Sequence, residues 1–406
     1  MKRILVFLSL FFLYAHTALA ATRIMTVSDV HYLSPSLYDR DDPYFQKIVE
    51  ESAGKAIHYS QELLEGLLAE ARHQHPDILL VTGDLTFDGE AESHRDIARA
   101  LHTLQEEGIR VAVIPGNHDI NSMYAMSYTS DGPAWTDNVD SADFAEIWRG
   151  MTAEEMRGPG FSGVIRLNDK VWIAMGDYSV YEDHIETHGM ATDAHAQWIE
   201  EVTKAAAEAG VTLVCATHQT LLKHTAYSTH TFRVHKSKLV VPIMEEAGCR
   251  LNVCGHMHVQ HIMPNDEGIS EIASGAWCVS PHRYGMLTIE DDGKMTYNAQ
   301  SVCDAHLPNG LPEQIHAFFR KLVFKHERIE LMMNGIFDQQ LIDMSTFAAD
   351  VNESYFAGTL HEHPEYLTDP AFAMFKKIEK SSIFGHYLTV ILRERIVDAL
   401  HWSSTP

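Results

Sequence analysis

The stretch Ile78-Leu79-Leu80-Val81-Thr82-Gly83-Asp84 constrains this chain more than any other. An unbroken apolar and β-branched run of that length reads as a strand buried on both faces, and the Gly-Asp at its end delivers a carboxylate onto a tight turn. The same design recurs in four other places. Arg23 to Val27 runs into Ser28-Asp29-Val30-His31, Val111 to Pro115 into Gly116-Asn117-His118-Asp119, Val211 to Ala216 toward His218, and Leu251 to Cys254 into Gly255-His256-Met257-His258. Each segment ends in Asp, Asn or His, the side chains that bind borderline divalent metals.

Helical periodicity fills the gaps between these strands. A helix is predicted from about Ser52 to His73, with Leu63, Leu64, Leu67 and Ala71 on one stripe and Pro76 barring its continuation. The preceding Tyr32 to Glu50 reads as a loop. Further helices are predicted through Ile97 and Leu104, ending at Gly108, from Asp193 to Ala209, ending at Gly210, and from Val241 to Ala247. Strand, turn and helix in alternation specify an α/β fold with its chemistry at the C-terminal strand ends. The irregular run 121–163, with one short helix near Ala142 to Trp148, leaves directly from Asp119 and is predicted as a lid insert. After His258, segments near Val259 to Met263, Ile269 to Ala273, Gly285 to Ile289 and Lys294 to Tyr297 are predicted to close the domain as antiparallel strands. Beyond Cys303 the texture is helical and carries no clustered ligand set, so 21–303 reads as the catalytic domain and 304–406 as a helical appendage.

At the N-terminus, Lys2 and Arg3, an apolar run from Ile4 to Tyr14, and Ala18-Leu19-Ala20 form the pattern of a secretory signal peptide, cleaved after Ala20. The expectation is a secreted or periplasmic protein with no membrane span in its mature chain. Lys+Arg 31 against Asp+Glu 56, a formal charge of −25, argues against duplex nucleic acid as a partner. The five cysteines are an odd number and form no compact framework; Cys215 and Cys254, inside apolar strands, read as buried free thiols.

Taken together, the ordered set D-x-H, G-D, G-N-H-D, H and G-H-x-H resembles that of the calcineurin-like metallophosphoesterases over residues 22 to about 300. The resemblance implies a four-layer α-β-β-α sandwich and a dinuclear centre of Fe, Zn or Mn. It implies one metal held by Asp29, His31, Asp84 and His258, and a second by Asp84, Asn117, His218 and His256. It further implies that His118, oriented by Asp119, is the acid for the leaving group, with a metal-bound hydroxide as the attacking species. This chain departs from the fuller pattern at Phe87, where a second carboxylate is usual and Asp88 follows one place later, and at Thr220, where Pro is usual.

The expected function is hydrolysis of phosphate monoesters or diesters, with diesters favoured. The substrate is a small phosphorylated molecule: a nucleotide, a cyclic nucleotide, a sugar phosphate or a phospholipid head group. A non-catalytic metal- or phosphate-binding protein on the same fold is the alternative, but it has little reason to carry His118. A zincin-type protease is excluded because H-E-x-x-H is absent. His224, His230 and His235 read as surface histidines.

Overall fold

The computed structural model describes residues 21–182, 185–227, 230–394 and 397–404. The signal-peptide expectation over 1–20 therefore lies outside the described residues. The first half runs β1 (Thr22–Val27), α1 (Pro43–Glu51), α2 (Ser60–Gln74), β2 (Ile78–Thr82), α3 (Ala91–Glu106) and β3 (Arg110–Ile114). A hairpin of β4 (Met126–Thr129) and β5 (Gly132–Trp135) and the short α4 (Ser141–Ile147) follow. The second half is β6 (Gly163–Arg166), β7 (Val171–Gly176), α5 (Asp193–Ala209), β8 (Thr212–Thr217), α6 (Val241–Glu246), β9 (Leu251–Cys254), β10 (His261–Met263) and β11 (Ser270–Ala273). The chain closes with β12 (Arg283–Ile289), β13 (Met295–Ser301), α7 (Leu311–Met333), α8 (Asp338–Ala357), α9 (Pro370–Ile378), α10 (Ile383–Arg393) and β14 (His401–Ser403).

These strands form two six-stranded sheets, ordered β14-β13-β12-β1-β2-β3 and β10-β11-β9-β8-β7-β6. The motif-bearing strands are parallel neighbours, in register at Ile24↔Ile78 and Leu79↔Val111 in the first sheet and at Cys215↔Asn252 in the second. Period-two alternation decides which core each side chain enters. Ile24, Ile78, Leu80, Ala112 and Ile114 face Ile173, Met175, Val214, Ala216 and Val253 between the sheets. Met25, Val27, Leu79, Val81, Val111 and Val113 face Leu63, Leu67, Ile97 and Leu101 of α2 and α3. On the outer side of the second sheet, Ala174, Leu213 and Cys215 meet Trp198, Ile199 and Val202 of α5. The result is the expected four-layer sandwich.

Several local expectations are corrected. Residues 43–51, predicted as loop, form α1, because Asp42 accepts the amides of Tyr44 and Phe45 and Pro43 occupies the first helical turn. The helix predicted from Ser52 is α-helical only from Ser60, since Ala53 and Gly54 adopt φ values of 56° and 89°. The antiparallel closing portion is split: β11 pairs parallel with β9, while β12 crosses to the first sheet and pairs antiparallel with β1. In 121–163, Val139, Phe144, Trp148 and Met151 are core residues packed with α3, and Trp148 donates its indole N–H to His94 Nδ1 at 3.1 Å. That part of the segment is a wall, not a lid.

Beyond Cys303, α8, α9 and α10 bury Phe347, Val351, Phe372, Phe375, Leu388 and Ile391 against Met257, Val259 and Ala273, underneath the G-H-x-H turn. Phe319 of α7 packs on Cys278, whose amide donates to the carbonyl of Asp29. Strand β14 then pairs with β13, which a reading of the tail as helical throughout did not anticipate. No helix among the described residues is long and apolar enough to cross a membrane.

Two stability predictions follow from this packing. Trp148→Ala costs about 3–5 kcal/mol in denaturant unfolding, whereas Trp135→Ala, at a side chain 71% exposed, stays within about 0.5 kcal/mol. On α7, Glu327 is buried with neither carboxylate oxygen hydrogen-bonded among the described residues, and burial, aided by Glu330, pushes its pKa up to about 10. Unfolding therefore releases its proton between the usual carboxylate range and about pH 10, so its burial costs stability increasingly as pH rises through that window. Glu327→Gln is expected to leave the melting temperature nearly unchanged at pH 5 and raise it at pH 8, flattening the profile.

Candidate metal centre

The side chains at the strand ends converge. Asp29, His31, Asp84 and His258 form one group whose ligand atoms lie within 4.8 Å of one another, and Asp84, His218 and His256 form a second. Asp84 belongs to both. Its Oδ2 is 3.6 Å from His31 Nε2, and its Oδ1 is 3.3 Å from His218 Nε2. Asn117 joins the second group, with its Oδ1 3.2 Å from His218 Nε2. In the first group, His31 Nε2 and His258 Nε2 are 3.1 Å apart, and Asp29 Oδ1 is 3.4 Å from His258 Nε2.

Turn geometry forces this crowding. Asp29, His31, Asp84, His256 and His258 all have left-handed backbones, with φ between 44° and 67°. Non-glycine residues hold such angles only where surrounding structure fixes them. The glycines beside them permit the approach: a Cβ on Gly116 would stand 2.1 Å from Asp84 Oδ1, and one on Gly255 only 1.6 Å from Ser28 Oγ. The amide of His118 donates to Asp84 Oδ1 at 3.0 Å, and that of His256 to Asp29 Oδ2 at 2.9 Å.

The donor set suits cations. His218 Nδ1 lies 2.8 Å from the carbonyl of Thr82, which can only accept, so the hydrogen of the neutral ring sits there and Nε2 turns its lone pair toward Asp84 and Asn117. His256 Nε2 likewise donates to the Thr231 carbonyl at 3.0 Å, leaving Nδ1 as its ligand atom. The second group thus gathers lone pairs around a common point, which only a proton or a metal ion satisfies. Without metal, protons serve. Burial disfavours a charged His218, but Asp84 and Asp29 outweigh it and raise its pKa to about 9. Burial would likewise push Asp84 up, yet His218, His118 and His31 hold it well below the usual carboxylate range. His256, buried and close to His218, falls to about 4. Metal loading must displace the His218 proton.

His118 differs from these ligands. Its side chain is 30% exposed, against 0% for His31 and 1% for His218, so it stands at the mouth of the site. Its partner is not the expected one. His118 Nδ1 is 2.8 Å from Asp88 Oδ1. Asp119 faces inward, where its carboxylate accepts the amides of Leu85, Thr86 and Gly116 and the Thr86 hydroxyl. Adjacent residues on a turn point apart, and a fully buried carboxylate is drawn to the donors inside. Asp119 therefore braces the G-D loop against the G-N-H-D loop, while Asp88 orients His118.

Three further residues that carry no local motif also shape the site. Lys55, 8% exposed, places Nζ 3.4 Å from His31 Nδ1 and 5.7 Å from the Phe87 ring centre. Thr231 fixes His256 through its carbonyl. Glu271 takes the amides of Leu221 and Leu222, the Asn252 amide group and His224 Nε2, locking the loop that follows His218. His224, expected at the surface, is 6% exposed and belongs to this network. With Cys254 the network has the composition of a third metal site, but every lone pair of Glu271 already has a donor. Asp88, by contrast, leaves a trace in the sequence, as the carboxylate displaced by one place from the familiar pattern.

An α/β sandwich whose strand ends gather two ligand groups around one shared carboxylate is a candidate dinuclear metal centre. A model of calcineurin-like phosphoesterases matches residues 22–260, more than half of the chain, which therefore belongs to that family. Among solved structures, a dimetal phosphatase from Danio rerio is similar in fold, with a TM-score of 0.50 and 14% identity, covering 70% of this chain and 97% of that one. The purple acid phosphatase PPD1 from yellow lupin (Lupinus luteus) gives 0.44 and 13%, covering 71% and 53%. A protein described as a probable cyclic nucleotide phosphodiesterase, from Vesicomyosocius okutanii subsp. Calyptogena okutanii (strain HA), is 31% identical over 68 residues. That match spans 17% of this chain and 28% of the relative.

The Asp88 contact yields a prediction. Asp88→Asn is expected to lower kcat by about 10–100-fold with metal content unchanged, as for other partners that orient a functional imidazole. Asp119→Asn should instead lower the melting temperature, because it unpicks the brace between two loops.

Proposed function

We propose that this protein hydrolyses phosphate esters, with diesters favoured over monoesters, at a pair of metal ions. The observation that carries the reading is Asp84 lying between two ligand groups, with His118 exposed above them. Asp29, His31, Asp84 and His258 would hold one ion, and Asp84, Asn117, His218 and His256 the other. Fe, Zn and Mn all suit this donor set. When bound, such a pair supplies an acidified water and neutralises phosphoryl oxygens.

The chain's own residues do the rest. Asp88 accepts from His118 Nδ1, which leaves Nε2 as the ring nitrogen available to a substrate. A proton carried on Nε2 passes to the oxygen of the departing alcohol, so no free alkoxide forms. The buried imidazoles and carboxylates, braced from behind by Thr82, Thr231 and Lys55, keep the ligand atoms from relaxing apart. In a chain of formal charge −25, a pair of multivalent cations would concentrate phosphate attraction at one point. The diester preference draws on the stretch shared with the probable cyclic nucleotide phosphodiesterase. Small phosphorylated molecules, including nucleotides, cyclic nucleotides, sugar phosphates and phospholipid head groups, are the substrate class. The N-terminal pattern through Ala20 supports action in the periplasm or outside the cell, and N-terminal sequencing of exported protein checks it.

Hydrolysis of p-nitrophenyl phosphate and bis-p-nitrophenyl phosphate, with Mn or Zn and after EDTA, tests the function directly. EDTA should abolish activity on both, and bis-p-nitrophenyl phosphate should be the better substrate. His118→Ala is expected to keep its metal and lose about 10²–10⁴-fold in turnover, while Asp84→Asn loses metal. Wild-type activity in both variants would overturn the assignment.

A further inference from the structure

Cys215 and Cys249 stand apart from the other cysteines. Their sulfurs are 3.3 Å apart, both side chains are 2% exposed, and both are free thiols here. Cys254 and Cys278 are also buried and Cys303 is exposed, but no other cysteine pair hydrogen-bonds among the described residues. Beyond each other, the polar contacts of the pair are Cys249 Sγ to the carbonyls of Leu213 and Leu251, each at 3.6 Å, and a thiol is a weak donor. Nothing strong holds either sulfur in its reduced form.

We propose that Cys215 and Cys249 are a disulfide-forming pair. A disulfide requires sulfurs about 2.05 Å apart, so closure from 3.3 Å is a movement of little more than about 1 Å. The oxidant is a small-molecule disulfide. The thiolate of one cysteine attacks it and releases one thiol, and the thiolate of the other then attacks the mixed disulfide and releases the second. The protein loses two hydrogens and the reagent is reduced to two thiols. Because both sulfurs are buried in the finished fold, exchange takes place while the chain folds.

Placement gives the bond a purpose. Cys215 lies in β8, three residues before His218, and Cys249 lies two residues ahead of β9, seven residues before His256. A bond spanning a sequence separation of 34 would tie together the two strands that deliver adjacent members of one ligand group. It restricts the unfolded chain and opposes separation of these strands. This inference does not depend on the phosphoesterase reading.

The full chain, refolded in reduced and oxidised glutathione, is denatured, alkylated without reductant and mapped by peptide mass spectrometry. Cys215 and Cys249 are expected to escape alkylation and to appear as one linked peptide pair, with Cys254, Cys278 and Cys303 alkylated. Reductant should lower the melting temperature of this protein but not that of the Cys215→Ser/Cys249→Ser double variant. Alkylation of all five cysteines, linkage of Cys215 to another cysteine, or equal response of the two proteins to reductant would overturn the proposal.

Discussion

Mutual repulsion among lone pairs is the problem this fold is built to contain. Asp84 presents its two carboxylate oxygens to His31 and His218, and beside it Asp29 lies against His258 while accepting the amide of His256. Left alone, such a group would swing apart or fill with water. Here it is held by left-handed turns at five ligand residues, each costing of order 1–3 kcal/mol. That strain is tolerable because every such turn is anchored to a strand buried between two cores. The sandwich behaves as a vice, and the missing Cβ atoms of Gly116 and Gly255 set how tightly it closes.

Within this vice, exposure separates the roles. The ligand side chains are out of water, where their charges interact strongly and their geometry cannot drift. His118 alone combines substantial exposure with a carboxylate partner, through Asp88, and that pairing makes an imidazole useful to a leaving group. Asp119 has the same chemistry one residue away and is spent on backbone amides instead. Two acidic residues near one histidine thus serve entirely different ends, decided by which way each points from its turn.

The sequence made the strand ends legible because a buried strand followed by a glycine turn leaves a strong local signature, and the ligand residues sit on those turns. Asp29, Asp84, Asn117, His218 and His256 were readable as a set for that reason. What lies further from the turns was less so. Asp42-Pro43 is a helix start hidden in a loop-like composition, and Ala53-Gly54 breaks an apolar stripe that is continuous in sequence. The family resemblance implies Asp119 as the partner of His118, whereas the contact is made from Asp88 across a loop. Lys55 and Glu271 were out of reach because nothing local to either says which histidine it will meet. The 121–163 segment looked irregular because its apolar residues are spaced to fill gaps beside α3, not to repeat along one face.

The return of the chain to β14 gives the helical tail an unexpected topology. With β13 before it and β14 after it as neighbours in one sheet, the run of four helices is a long detour inside a strand pair, not a domain hung from the end. The outermost strand of the first sheet is therefore the last of that sheet's six strands to be translated, after all four helices. During synthesis β13 is an open edge that could pair with another molecule, and its protection waits on the final residues of the described chain.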